Sequence, residues 1–252
     1  MSRKNDTTTG GATGRLTNDT TGVLSVSPGV DTTGGGDAIS AEQRALLTES
    51  SPSLTIHFLG DDFYPHARVW GARSSQHQEF PAAIAEPAST GEVAALLKWA
   101  TAGGIPLSLT NGGHGGEGFS GKLVIRMDKL NSVAVAPEAS PPTVTCGGGV
   151  RVQMVDDATA PYGLATTLGN CGMVGVTGAM LGGGTGFMAR YQGLTIDQLV
   201  SATIVLADGS IVTANEKDNS DLFYALRGGG GNFGVVVEFT LKCFKVRRSE
   251  TA

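Results

Sequence analysis

The sequence predicts an α+β fold in two lobes, and two observations carry this expectation. Over residues 82–109, a short apolar strand, a helix with one apolar stripe and an alternating strand follow one another. From Leu123 onward the pattern of predicted elements is different: short strands alternate with turn signals and single helices. This order of elements is typical of an α+β domain. We expect the folded region to span 41–248, with lobes at about 41–122 and 123–248.

The N-terminal residues 1–40 are rich in Thr, Gly, Asp and Ser and contain only isolated hydrophobic residues. Such a segment cannot bury enough apolar surface to offset the entropy that is lost on ordering. We therefore expect a disordered tail over 1–40. A short helix is predicted from Ser40 to Leu47.

The first lobe begins with a predicted strand at Ala82–Glu86. Ser89 and Glu92 have capping-box spacing, so Ser89 is expected to open a helix and Glu92 to reach back to the Ser89 amide. Apolar residues then recur at helical spacing: Val93, Leu96, Leu97 and Ala100. The pair Gly103-Gly104 ends the helix. The alternating strand Ile105–Leu109 leads directly into a glycine-rich loop.

The second lobe is predicted from short elements that are separated by turn signals. Three strands come first: 123–127, 132–136 and 143–147. A helix follows at about 150–160. The last elements are a hairpin at 200–214, a helix at Asp218–Leu226 and a strand at Val235–Phe244. Within the hairpin, Asp208-Gly209 favours a tight primed turn.

Composition excludes several classes of function. The net charge of -5 and the pI near 5.3 argue against nucleic-acid binding, which needs a basic face. No apolar run reaches the ~18 residues of a membrane-spanning helix. The three cysteines and four histidines are badly spaced for zinc, so we expect no metal site. No apolar segment of a secretory signal is visible, which indicates a cytoplasmic protein unless the start codon is misassigned.

Glycine is the informative deviation, because 38 residues are roughly twice the usual ~7% share. The glycines cluster in four places: 112–118, 147–149, 182–186 and 228–234. Any one cluster alone would be read as a turn. The first cluster follows a strand, as loops that cradle phosphate do. None matches the GxGxxG or GxxxxGK[ST] patterns, so ordinary dinucleotide-binding and ATPase interpretations fail.

Six collinear motifs over about 82–245 together resemble the berberine-bridge-enzyme-like oxidases of the vanillyl-alcohol-oxidase/p-cresol-methylhydroxylase (PCMH) superfamily. The first resembles their GGH flavin-attachment loop, and the second resembles the loop in which a cysteine precedes VGVxG. The others are similar to the LGGGxG, R-x-x-G-L-x-x-D, ADG and DLFxALRGGGGNFGVV elements. In order, the motifs lie at Asn111–Gly118, Gly169–Gly178, Leu181–Gly186, Arg190–Asp197, Leu206–Gly209 and Asp221–Val236.

The resemblance implies a two-lobed PCMH-type FAD-binding domain with FAD attached covalently. His114 falls on the histidine that bonds the flavin 8α-methyl group, and Cys171 falls on the cysteine that bonds flavin carbon six. Histidine titrates near neutrality and so supplies a free ring nitrogen, while the cysteine needs thiolate character. The alternatives are a structural histidine in a glycine loop and an inert thiol. Cys146 and Cys243 lack any such context and are expected in the core.

The remaining motif residues are implied to hold FAD without covalent bonds. The first loop, which begins at Asn111, is expected to bring amides to the pyrophosphate through Gly112, Gly113 and Gly115. The ribityl chain and ring are expected to lie against Gly175, Thr177, Gly178, Gly182 and Gly183, with Thr177 offering its hydroxyl. The Val236 backbone is expected at the adenine. Structural roles are expected for Asp197, Asp221 and Arg227.

By resemblance, the activity is that of an oxidase: a small-molecule substrate passes a hydride to flavin N5, and O2 reoxidises the flavin to give hydrogen peroxide. Departures from the family pattern limit this expectation. Gly115-Gly116 replaces the common Ser-Tyr, and Arg126 stands where an acidic residue is usual. Relatives continue into a substrate lobe, which the resemblance implies to be absent here. No catalytic base is nominated, and neither Tyr191 nor Glu117 is favoured.

Two alternative functions remain open at this point. One is a truncated FAD-binding module without turnover, which the expected absence of the substrate lobe favours. The other is an α+β interaction domain that binds no flavin and uses its glycines only for turns.

Overall fold

The structure is a computed structural model that describes residues 39–63, 80–115, 119 and 121–246. Most of the expected tail, residues 1–38, lies outside the described residues. Its last two residues contradict the prediction of disorder. Ile39 is fully buried, and the Ser40 hydroxyl accepts from the Gln43 amide at 3.1 Å and caps helix α1 (Ala41–Ser50). The predicted helix is thus confirmed and extends three residues further.

The first sheet has the order β1-β2-β4-β3. Its strands are β1 (Thr55–Phe58), β2 (Ala83–Glu86), β3 (Leu107–Thr110) and β4 (Leu123–Arg126). Strand β4 lies in parallel between β2 and β3, whereas β1 is antiparallel to β2. From its sequence, β4 is predicted to belong to the second lobe, and its pairing with β2 and β3 contradicts that prediction. The boundary between the two sheets lies after Arg126.

Helix α2 (Thr90–Ala102) crosses over between β2 and β3, and the apolar stripe that predicted it is buried. The Ser89 hydroxyl accepts from the Glu92 amide at 3.2 Å, as expected for an N-cap. The capping box is different from the expected one, because the Glu92 carboxylate accepts from the Ala88 amide at 2.7 Å. The Ser53 hydroxyl donates to its other oxygen and holds it there. The Ala88 hydrogen bond lowers the pKa of Glu92.

The second sheet is antiparallel throughout and has the order β5-β6-β10-β8-β9. Its strands are β5 (Val133–Ala136), β6 (Thr143–Gly147), β8 (Leu199–Val205), β9 (Ile211–Asn215) and β10 (Val235–Lys242). A small separate pair joins β7 (Leu164–Ala165) to β11 (Phe244–Lys245). The helices of this half are α3 (Val152–Thr159), α4 (Val176–Leu181), α5 (Ala189–Gln192) and α6 (Ser220–Gly229).

The hairpin β8–β9 forms where it was predicted, but its turn is of another type. A two-residue primed turn needs positive φ at both central residues. Gly209 has φ 83°, whereas Asp208 does not have positive φ. The Gly209 amide donates to Leu206 at 2.9 Å, and the Leu206 amide donates to Ser210 at 2.8 Å. The connection is therefore a three-residue loop that ends in a left-handed glycine.

An ion-pair network joins the first sheet to the second half of the chain. Arg126, at the end of β4, contacts Glu86 at 2.9 Å and Asp128 at 3.1 Å. Asp128 also contacts Arg151, just before α3, at 2.6 Å. Lys129 contacts Glu86 at 3.4 Å. The basic residue at 126 thus has acidic partners on both sides.

Two apolar cores flank the junction of the sheets. One lies between the second sheet and its helices, and it contains Phe239, Leu226 and Met180. The other lies beneath α2, and Val205 and Val235 of the second sheet join it. Cys146 and Cys243 are buried in the first of these cores, as expected. In the described part of the chain, no helix is long and apolar enough to cross a membrane.

Truncation of Leu96 to alanine should lower the free energy of unfolding by about 2–5 kcal/mol, because this fully buried side chain would leave a cavity. Urea unfolding measures the change. Leu46→Ala is the matched control, since Leu46 is exposed on α1 and its loss should cost less than about 0.5 kcal/mol. Equal losses in the two variants would contradict the assigned core.

Candidate functional site

A cavity of about 330 Å³ lies where loops from both halves of the fold meet. The walls are the end of β3 and the loop after it, the turn after β6, the start of α4 and the start of β10. Predicted site residues make up much of the lining: Asn111, Gly112, Gly113, His114, Gly115, Gly175, Thr177, Gly178 and Val236. Residues that are far apart in sequence are thus brought to one place.

The loop after β3 contacts the loop before α4 backbone to backbone. A Cβ atom on Gly112 would collide with the Met173 carbonyl oxygen and would lie 2.6 Å from the Gly175 nitrogen. A Cβ on Gly175 would lie 2.7 Å from Cγ of Asn111. Such distances leave no room for any side chain, so glycine is required on both loops.

Side-chain hydrogen bonds tie these loops to the turn after β6. Asn111 Nδ2 donates to the Val150 carbonyl at 2.9 Å and to the Gly148 carbonyl at 3.3 Å. The Thr177 hydroxyl donates to the same Gly148 carbonyl at 2.7 Å. Its proton is therefore already engaged, and toward a ligand the Thr177 oxygen can only accept.

The loop after β3 also presents unpaired backbone donors. Among the described residues, the amides of Gly112, Gly113 and His114 donate no hydrogen bond. Gly113 is left-handed, with φ 69°. A Cβ on Gly115 would meet nothing within 4 Å, so this glycine borders open space. Successive free amides in a turn suit the oxygens of an anion such as a pyrophosphate.

Two buried oxygens at this loop lack hydrogen-bond partners among the residues that the structure describes. They are Oγ1 of Thr110 and Oδ1 of Asn111, and both residues line the cavity. Buried polar atoms are normally paired, and unpaired ones mark functional sites or ligands. The residues present therefore fit a phosphate-bearing cofactor with several hydroxyl groups.

The two residues proposed for covalent attachment differ in position. His114 is exposed and lines the cavity. Cys171 is exposed and does not belong to the lining, but it lies on the same loop as Val174 and Gly175, which do. Its carbonyl accepts from the Val174 amide at 3.1 Å. The structure thus puts Cys171 on a loop that forms one wall, although Cys171 itself is not part of the lining.

Gly182 and Gly183 were expected along the cofactor, and neither lines the cavity. Gly182 ends α4, and Gly183 has φ 110°. The Gly183 carbonyl accepts from the Ile196 amide at 2.9 Å. These glycines are explained by the end of a short helix that turns back on the next segment.

Several lining residues were not predicted from the sequence: Leu109, Thr110, Met127, Gly148, Val174, Ala179, Leu181, Gly231, Gly234 and Val235. Gly148 and the pair Gly231 and Gly234 belong to glycine clusters that the sequence analysis had noted. A Cβ on Gly148 would collide with the Val236 carbonyl oxygen, so the cluster signalled a close backbone approach. Thr110 has no sequence signal beyond its place at the end of β3.

The remaining described residues that the sequence analysis singled out do not line the cavity. Asp197 accepts from the Leu194 amide at 2.8 Å and lies 3.6 Å from Arg227, as expected for structural roles. Tyr191 is 83% exposed, and Glu117 lies outside the described residues. Over 39–63, 80–115, 119 and 121–246, no cluster of His, Cys, Asp and Glu could hold a metal ion.

Comparison with known proteins identifies the family. A family profile described as an FAD binding domain matches residues 81–215, which is more than half of the chain. The chain belongs to this family of FAD-binding domains. The match spans the loops that carry His114 and Cys171 and all of the first sheet except β1.

Relatives refine this assignment. Glucooligosaccharide oxidase of Sarocladium strictum is 41% identical over 175 residues, which is 66% of this chain and 34% of the relative. The solved structure of a BBE-like protein from Physcomitrella patens has TM-score 0.73 at 30% identity and matches 81% of this chain and 44% of its own. The resemblance to berberine-bridge-enzyme-like oxidases and the PCMH-type fold are confirmed.

A third relative carries information on flavin attachment. The solved glucooligosaccharide oxidase of Acremonium strictum is described as containing 6-S-cysteinyl, 8α-N1-histidyl FAD. Its TM-score is 0.70 at 34% identity, and the match covers 82% of this chain and 43% of that one. The FAD-binding domain described here spans less than half the length of these three proteins.

Replacement of Gly112 by alanine should lower the free energy of unfolding by about 1–3 kcal/mol, because the added carbon meets backbone atoms that cannot move independently. Denaturant unfolding of the flavin-free protein measures it. Gly115→Ala is the control, since its Cβ would enter open space and should cost less than about 0.5 kcal/mol. A neutral Gly112→Ala variant would show that the loops are not in contact.

Native flavin-free protein should take one alkyl group from iodoacetamide at pH 8, at Cys171. Burial raises the pKa of Cys146 to about 12 and that of Cys243 to about 11, so both stay protonated and covered. The ordinary pKa of a cysteine thiol is 9.0, so above this pH the thiols of the unfolded chain lose their protons before those of the folded protein. The free energy of unfolding therefore falls as the pH rises. Peptide mass spectrometry locates the label. Labelling of Cys146 or Cys243 in native protein would contradict the assignment.

Proposed function

We propose that this chain holds the FAD of an FAD-linked oxidase that acts on a small organic substrate, with the flavin attached to both His114 and Cys171. The observation that carries the proposal is the cavity where the loop of His114 and the loop of Cys171 meet. The doubly attached FAD of the Acremonium glucooligosaccharide oxidase supports it.

Noncovalent contacts would come from the cavity walls. The free amides of Gly112, Gly113 and His114 would donate to the pyrophosphate, because their dipoles stabilise negative charge. Thr177 would accept a hydrogen bond from a cofactor hydroxyl, since its own proton is bound to the Gly148 carbonyl. Val236, at the start of β10, would form part of the wall of the site.

His114 would form its bond through a ring nitrogen. The bond would replace one hydrogen of the 8α-methyl group and the N–H hydrogen of the imidazole, and O2 would accept both hydrogens as hydrogen peroxide. The bond needs an imidazole nitrogen that carries no proton.

Cys171 would form the second bond, from its sulfur to flavin carbon six, with O2 again as the oxidant. The sulfur would replace the hydrogen on carbon six, and O2 would accept that hydrogen and the thiol hydrogen as hydrogen peroxide. Cys171 is exposed, whereas burial raises the pKa of Cys146 and of Cys243 and keeps these two thiols protonated.

When bound, the flavin supplies a two-electron acceptor for a substrate hydride and passes the electrons to O2. The candidate substrates are alcohols, oligosaccharides and other small metabolites. The relative from Sarocladium strictum is a glucooligosaccharide oxidase. The described residues put no general base in the cavity: His114 is committed to the flavin, and the remaining lining is apolar, hydroxyl or amide.

A second candidate function is an FAD-binding module without turnover. The observation that favours it is exposure at the site, because His114 is exposed. Water at the ring opposes hydride transfer, which benefits from a closed site. Peroxide formation with candidate alcohols and sugars separates the two functions, because only the oxidase produces it in proportion to substrate.

Expression with FAD should give yellow protein whose mass after denaturation includes one FAD. His114→Ala and Cys171→Ala should each retain flavin through the other bond, and the double variant should release it. Mass spectrometry and the visible spectrum of each variant make the measurement. Cys146→Ala is the matched control, since this thiol is buried outside the cavity.

The outcomes separate the parts of the proposal. Colourless protein after reconstitution would contradict flavin binding altogether. An unchanged flavin spectrum in Cys171→Ala would remove the second bond and leave only the histidine link.

A further inference from the structure

The loop that carries Cys171 is held along the segment that leads into α3. The Val176 amide donates to Val150, the Val152 amide to Val174 and the Gln153 amide to Gly172, each at 3.0 Å. The last two bonds occupy amides at the start of α3, which have no acceptor within the helix. The path of the loop backbone is therefore fixed by the start of this helix.

The Gln153 side chain fills the space beside Gly172. A Cβ atom on Gly172 would lie 2.8 Å from Oε1 of Gln153 and 3.0 Å from its Cβ. Gln153 Nε2 in turn donates to Oδ1 of Asp157, one turn later, at 2.8 Å. This hydrogen bond holds the glutamine against the loop. Gly172 directly follows Cys171, so the contact is next to the reacting residue.

We propose that Gln153 is a positioning residue for Cys171. Its side chain, held by Asp157, is the surface on which the Gly172 backbone rests, and it sets how far the thiol reaches toward the cavity. The proposal rests on the bond between Cys171 and flavin that is put forward under the proposed function. Gln153 itself does not line the cavity.

The rate of bond formation should be sensitive to this contact. A nucleophile must come within about 3–3.5 Å of its target, and a displacement of about 1 Å costs on the order of 100-fold in rate. A methyl group on Gly172 would push the loop away from Gln153 by a fraction of that distance. We therefore expect attachment at Cys171 to slow by roughly 10- to 100-fold.

The test uses Gly172→Ala in a His114→Ala background, where only Cys171 can attach the flavin. Flavin-free protein is mixed with FAD, samples are denatured at intervals, and the protein-bound flavin is measured by fluorescence and by its visible spectrum. Gly169→Ala is the matched control. It is the same substitution on the same connecting segment, but its Cβ would meet only the Thr185 carbonyl oxygen at 3.8 Å.

Rescue separates positioning from a general loss of structure. Gln153→Ala removes Oε1 and should restore part of the rate when added to Gly172→Ala, although Cβ of residue 153 remains close. By itself Gln153→Ala should slow attachment several-fold, because the loop loses its support. Thermal unfolding and noncovalent FAD affinity are measured in each variant, and neither should follow the attachment rate.

Each result decides the matter. Slow attachment in Gly172→Ala, normal attachment in Gly169→Ala and partial rescue by Gln153→Ala support the proposal. Equal rates in both glycine variants, or no rescue, overturn it while the Cys171 bond stands. Release of all flavin from His114→Ala alone overturns the Cys171 bond, and the positioning role falls with it.

Discussion

The contact on which the site depends is the meeting of two backbones at Gly112 and Gly175. A side-chain carbon at either position would collide with the other loop or with Asn111. The same holds at Gly148, whose Cβ would collide with the Val236 carbonyl oxygen. Loops from both halves of the fold can therefore meet at one cavity only because glycine stands at each contact. The high glycine content reflects this packing as well as ordinary turns.

From this contact the chemistry of the site follows. The loop after β3 leaves the amides of Gly112, Gly113 and His114 free to bind an anion, and two of these three residues have no side chain. Asn111 ties that loop to the turn after β6, and the network from Glu86 to Arg151 joins the same two halves. The site is thus fixed by the backbone, with few side chains available for substrate chemistry.

Most features that depend on residues close in sequence were predicted correctly, whereas some features that depend on long-range contacts were not. The cap at Ser89 and the apolar stripe predicted helix α2 correctly, because both act within a few residues. The place of β4 in the first sheet was not predicted, because the residues of a strand do not by themselves show which other strands it pairs with. Gly182 and Gly183 do not line the cavity, and their contact with the cofactor stays a prediction, because a glycine run looks alike whether it ends a helix or touches a ligand.

A crystal structure of the FAD-reconstituted protein tests the central claim most directly. The account predicts continuous density from one ring system to the imidazole of His114 and to the sulfur of Cys171, with the pyrophosphate against the amides of 112–114. Flavin bound elsewhere, or a His114 imidazole and a Cys171 sulfur too far apart to reach one ring, would contradict it.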